Sequence, residues 1–69
     1  MSENLIDGLF EEINRVRELI KEYEALPNNV GVFGATFMKT DISKAEKAIR
    51  EGDTIQMISC YSKLKEYED

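Results

Sequence analysis

The chain has 69 residues, 33% of them charged and 42% hydrophobic, with a formal net charge of −5. That is room for one small domain, with the balance of a folded chain rather than a disordered one. It carries no His and a single Cys, which excludes Ser-His-Asp catalysis, imidazole metal sites, Cys-rich zinc sites and an intramolecular disulfide.

A core this small rarely contributes more than ~3–5 kcal/mol, so very regular helix packing or self-association is expected to supplement it. The first residues, MSENLIDGLFEEIN, lack the basic and apolar regions of a secretory leader. No apolar run approaches the ~18–20 residues of a membrane span. A cytoplasmic location with a reduced thiol is therefore expected. Net negative charge disfavours sequence-independent nucleic-acid binding. Residues 1–26 hold seven acids against three bases, whereas residues 30–50 hold Lys39, Lys44, Lys47 and Arg50 against Asp41 and Glu46.

The first predicted element is an amphipathic helix over residues 3–26. Ile6, Leu9, Ile13, Val16, Ile20 and Tyr23 recur at alternating steps of three and four, the spacing of one helix face. Ser2 is the expected N-cap, with Glu3 favoured in the first turn by the helix dipole. Leu5, Phe10, Leu19 and Leu26 widen the stripe beyond what one partner helix requires. Pro27 ends the helix by forcing Leu26 out of the helical region. Asn28 and Asn29 suit a turn and the N-cap of a second helix.

The second helix is predicted over 30–51. Val30, Phe33, Phe37 and Met38 keep helical spacing, although Gly31, Gly34 and the β-branched residues leave a loop or short strand open for 30–36. Ala35, Met38, Ile42, Ala45 and Ile49 continue at the helical period. Gly52 fits a left-handed C-terminal position, and Asp53 with Gln56 forms a capping-box pattern, so a tight turn joins to a third helix at 54–67. Met57, Ile58, Tyr61, Leu64 and Tyr67 form its apolar face. The expected fold is all-α, a single domain of residues 1–69 in a three-helix antiparallel hairpin or bundle that completes its core by homo-oligomerisation. Ile6, Leu9, Phe10, Ile13, Val16 and Ile20 are the expected oligomer interface.

No catalytic, metal or cofactor site is expected, and the chain is not expected to be an enzyme. Glu11/Glu12 and Glu18/Glu22 lack the Glu-x-x-His partner of a di-metal bundle and read as a solvated face. Cys60 has no base to activate it and reads as a structural thiol near Met57 and Leu64. Lys44, Lys47 and Arg50 form a basic outer face that also suits solubility. The candidate ligand segment is residues 28–39. Gly31 and Gly34 permit close backbone approach, Phe33 and Phe37 offer stacking faces, Thr36, Lys39 and Thr40 offer polar groups, and a helix start at Asn28/Asn29 offers N–H groups to a phosphate. The same features serve tight helix packing, and there is no P-loop or dinucleotide fingerprint.

Leu26-Pro27, Phe33-Gly34-Ala35, the Ala45–Ile49 run, Gly52-Asp53 and Tyr61-x-x-Leu64-Lys65 together resemble small proteins of tailed phages. Over residues 10–50 the layout also resembles the phage helical-hairpin sponges of the anti-CBASS and anti-Thoeris type, which place Leu-Pro between two helices. The serine/arginine-rich turn of those sponges is replaced here by Asn-Asn-Val-Gly-Val-Phe. The resemblance implies a homo-oligomer that evades host immunity by sequestering a cyclic nucleotide or cyclic ADP-ribose-type signal without cleaving it. Phe33, Gly34, Thr36, Phe37, Lys39 and Thr40 are the candidate ligand residues. Two other functions fit the residues: an acidic, anti-CRISPR-like inhibitor that binds a host defence protein through Glu11, Glu18 and Glu22, and an assembly oligomer with no small ligand.

Overall fold

The computed structural model describes residues 4–68. It contains three helices, α1 (Leu5–Glu24), α2 (Val32–Glu51) and α3 (Thr54–Lys65), with a short 3₁₀ turn at Pro27–Asn29. Each helix packs against the other two. Cross-links fix the directions. Arg17 meets Glu46 and Glu24 meets Lys39, so α1 and α2 are antiparallel. The Tyr67 hydroxyl donates to Asp41 Oδ2 at 2.6 Å, so the end of α3 lies beside the first half of α2.

The helix ends obey local chemistry. The expected Ser2 cap and Glu3 lie outside the described residues; the N-cap of α1 is Asn4, whose Oδ1 accepts from the Asp7 N–H at 2.8 Å. α1 stops at Glu24 rather than 26, because Leu26 is already extended ahead of Pro27. Asn28 and Asn29 both adopt φ of 59°, a left-handed geometry that Asn tolerates better than most residues. They therefore turn the chain but do not cap α2. That role falls to Gly31, and α2 begins at Val32 instead of residue 30. The helical reading of 32–36 holds.

At the other end of α2, Gly52 takes φ of 66°. Its N–H donates to Ile49 O at 3.2 Å, and the Asp53 N–H donates to Ala48 O at 3.0 Å. This is a Schellman closure. The Asp53 side chain then accepts from the Gln56 N–H at 3.1 Å. The Asp53 N–H is already engaged, so the turn replaces the return half of the expected capping box. α3 ends at Lys65, two residues before the predicted limit, and Arg15 of α1 reaches across to close it. Its Nη2 donates to Leu64 O at 2.9 Å and Tyr67 O at 2.8 Å.

The core is built from Leu9, Ile13, Val16, Leu19 and Ile20 of α1, Ala35, Met38, Ile42, Ala45 and Ala48 of α2, and Met57, Cys60 and Leu64 of α3. The structure corrects the sequence reading at three places. Leu9, Ile13, Val16 and Ile20 are consumed by the chain's own core and are not available to a second copy; of the expected oligomer stripe only Ile6 and Phe10 are exposed. Leu19, expected as a flank, is buried. Ile58, expected on the α3 core face, points outward, while Cys60 is buried beside Met57 and Leu64 as expected.

The small residues allow the hairpin to close. A Cβ on Gly31 would stand 2.2 Å from Tyr23 O, and one on Gly34 would stand 2.6 Å from the Tyr23 ring. The close approach that these glycines permit is thus made by the chain to itself. At 1.5 Å per residue, the 20-residue α2 runs about 30 Å and the 12-residue α3 about 18 Å, so α3 leaves the Pro27 end of the hairpin uncovered.

Candidate ligand groove

Beside the end of α3 lies a groove of about 530 Å3. Helix α2 contributes Gly34, Thr36, Phe37, Thr40, Asp41 and Lys44, α1 contributes Tyr23, and the α3 end contributes Lys63 and Tyr67. The bare backbone at Gly34 is what lets the Tyr23 ring lie against α2 at this point. The helical period explains the α2 set. Phe37, Thr40, Asp41 and Lys44 step by three, one and three, which keeps them on one flank of the helix.

The groove unites Gly34, Thr36, Phe37 and Thr40 of the sequence-predicted ligand set. It does not include the other two. Phe33 is 79% exposed and stands outside it. Lys39 lies about 100° around the helix from Met38, on the flank that faces α1, where Nζ pairs with Glu24 Oε2. The phosphate cradle expected at Asn28/Asn29 does not form there, because α2 starts at Val32 with Gly31 at its N-cap. The residues that sequence reasoning left out of the set are Lys44, Lys63, Tyr23, Asp41 and Tyr67. The Phe37-to-Lys44 spacing was a usable signal for Lys44. Nothing local ties Lys63 or Tyr67 to this place.

The charges of the groove are unevenly committed. Asp41, 9% exposed, accepts a hydrogen bond from the Tyr67 hydroxyl. The Tyr67 pKa is raised well above the ordinary phenol value by burial first, then by this hydrogen bond and the negative charges of Asp41 and Glu66. The phenol therefore stays protonated and occupies the carboxylate. The Thr36 hydroxyl donates to Val32 O at 2.8 Å, leaving its oxygen as an acceptor. Lys44 and Lys63 make no ion pair among the described residues. The groove thus presents aromatic faces and two lysines, with its one carboxylate engaged internally.

Other depressions lack this combination. At the α2–α3 junction, Lys44 and Lys47 are offset by Glu51 and Asp53. Between α1 and α2, Arg17 and Lys39 are held by Glu46 and Glu24. Cys60 is buried, and its thiol is pushed up by burial first and then by Asp41 and Asp53, against Lys44. Among the described residues no group of three acidic or thiol side chains converges on a metal position, and no helix is long and apolar enough to cross a membrane. Comparison with protein-family models, curated proteins and solved structures finds no match.

Proposed function

We propose that this chain is a binding protein that captures, without cleaving, a small anionic molecule bearing an aromatic ring, of the nucleotide class, in the groove between α2 and the end of α3. The observation that carries this reading is the convergence of Tyr23 and Phe37 with Lys44 and Lys63 around one concavity. The groove volume falls within the ~300–1,000 Å3 usual for small-molecule sites. Aromatic faces stack on a base whatever its identity, and lysines attract phosphate as point charges. Sequestration needs only affinity, and it is also what the likeness to the phage sponges implies.

The test is native mass spectrometry of the protein with a panel of cyclic nucleotides and cyclic ADP-ribose isomers. A stoichiometric adduct is expected. Lys44→Glu and Lys63→Glu should each weaken it by roughly 10–100-fold, the equivalent of a charged hydrogen bond of about 1.5–3 kcal/mol. Lys39→Glu, on the opposite flank, should leave it intact. An adduct lost with Lys39→Glu but kept with the other two would move the ligand to the α1–α2 side and overturn the assignment.

A second reading rests on the outer face of α1, where Glu11, Glu18 and Glu22 are exposed. Such a face suits a basic surface on a host protein, with a salt-sensitive association rate. Charge reversal at these three positions would then slow association, and an unchanged rate would remove the reading.

A further inference from the structure

The groove does not end at its two lysines. A hollow of about 110 Å3 shares Asp41, Lys44 and Lys63 with it. A further hollow of about 390 Å3 shares Lys44 and Gln56 with that one and reaches Glu51 and Asp53 at the turn between the helices. The three form one trough along the seam of α2 and α3. Small side chains keep it open, since Ala48, Ser59 and Cys60 line the stretch toward the turn. Phe37, Lys44 and Glu51 follow one another at intervals of seven residues, or two helical turns. They share one face of α2 at steps of about 10 Å, with Lys44 at the midpoint. A nucleotide with its ring at Phe37 and its phosphate at Lys44 therefore fills the first half and leaves the second empty.

The two halves differ in chemistry. Lys44 and Lys63 against Asp41 leave the first half net positive. Lys47 against Glu51 and Asp53 leaves the second net negative. Glu51 is exposed and makes no ion pair among the described residues. It stands at the last residue of α2, where the helix dipole disfavours an acid, so helix stability does not explain it. Asp53 Oδ1 accepts from the Gln56 N–H, which keeps that donor at the start of α3 from an incoming anion. Ionised carboxylates only accept hydrogen bonds. The second half therefore suits hydroxyl donors and repels further phosphate.

We infer that the trough takes a nucleotide whose phosphates carry a second, hydroxyl-rich unit, as in a nucleoside diphosphate sugar. The inference rests on the groove reading above and adds what lies beyond the phosphates. Along the trough the order is aromatic, basic, acidic, which matches ring, diphosphate and sugar. The ring stacks at Tyr23 and Phe37. The two negative charges of a bridging diphosphate meet Lys44 and Lys63 one for one. The sugar lies toward the turn, where its hydroxyls donate to Glu51 and Asp53 and the Gln56 amide adds a donor and an acceptor. A nucleoside triphosphate would instead press its third phosphate against the two acids.

Isothermal titration calorimetry with ADP-glucose, ADP and ATP tests it, because the three share a base, a ribose and two phosphates. ADP-glucose should bind about tenfold tighter than ADP, the effect of one hydrogen bond to a charged group. ATP should gain nothing over ADP. In Glu51→Ala, at an exposed helix end, the sugar advantage should vanish while ADP still binds and circular dichroism shows the fold intact. Equal binding of ADP and ADP-glucose, with both lost in Lys44→Glu, would overturn the inference and leave the groove reading standing. So would a sugar advantage that persists in Glu51→Ala, or ATP binding tighter than ADP-glucose. If none of the three binds, the groove reading falls and this inference with it.

Discussion

The tightest contact in the fold is also its most calculable. Gly31 is buried where α2 meets the end of α1, and an added Cβ would stand 2.2 Å from Tyr23 O and 2.8 Å from Tyr23 C. Both atoms are backbone, so neither can rotate away. The Gly31 backbone, at φ −94°, would itself accept Ala without strain, which isolates the steric term. Overpacking of this kind costs about 1–3 kcal/mol. A contact this short against backbone belongs at the upper end, and the lower entropy of an unfolded chain with Ala returns about 0.4–1 kcal/mol. The expected net loss for Gly31→Ala is about 2 kcal/mol, roughly 8–16 °C in Tm for a domain of this size. Gly8→Ala is the paired control. It lies inside α1, and its Cβ would meet only the Tyr61 ring edge at 3.4 Å, an ordinary contact. Helix propensity should then raise stability by up to about 1 kcal/mol. Thermal and urea unfolding followed by circular dichroism reads both. If Gly31→Ala melts at or above the unsubstituted temperature, the close approach of Tyr23 to α2 is wrong.

Further expectations concern the core, the groove and pH. Leu64→Ala removes a side chain with 0% exposure and should cost about 2–5 kcal/mol. That rivals the whole stability of so small a domain, so a urea titration should find the variant largely unfolded before denaturant is added. Asp53→Ala, which deletes the cap on α3, should cost about 1 kcal/mol by the same titration. The folded-state pKa of Tyr67 lies above its unfolded value, so its contribution is whole below about pH 10 and is lost as pH rises beyond that. Stability measured across the alkaline range should fall, and the fall should be shallower in Tyr67→Phe; an identical slope in the variant would contradict the Asp41 contact. Gly34→Ala, 2.6 Å from a ring that can swing, should destabilise less than Gly31→Ala but should disturb ligand capture.

What the sequence made legible was what is decided locally. Pro27 stops α1 through its effect on Leu26, and Gly52-Asp53 closes one helix and caps the next within a few residues. The helical period found the elements and much of the core. It could not say which apolar flank of α1 faces the third helix, because that depends on the hand of the bundle. Leu19 and Phe10 flank the same stripe, yet Leu19 is buried and Phe10 is 46% exposed. Phe33 and Phe37 kept core-like spacing but are exposed, since burial there depends on the length of α3 rather than on α2 itself. In the groove, Phe37 and Thr40 were found from their segment. Lys39 supplies the charge of that segment, but one residue of helix turns it toward Glu24. Lys63 and Tyr67 arrive only through tertiary packing, so no local pattern pointed to them.

The central claim is that the α2–α3 groove holds a nucleotide-type anion. A nitrogen–proton correlation titration of the labelled chain with the same cyclic-nucleotide and cyclic ADP-ribose panel tests it most directly. A member of the panel should shift the amides of Gly34, Phe37, Thr40, Lys44 and Tyr67 in a saturable way, while those of Arg17, Lys21 and Ser43 on the opposite flank stay in place. Titrations that leave the groove amides unmoved throughout the panel, or that shift only the opposite flank, would contradict it.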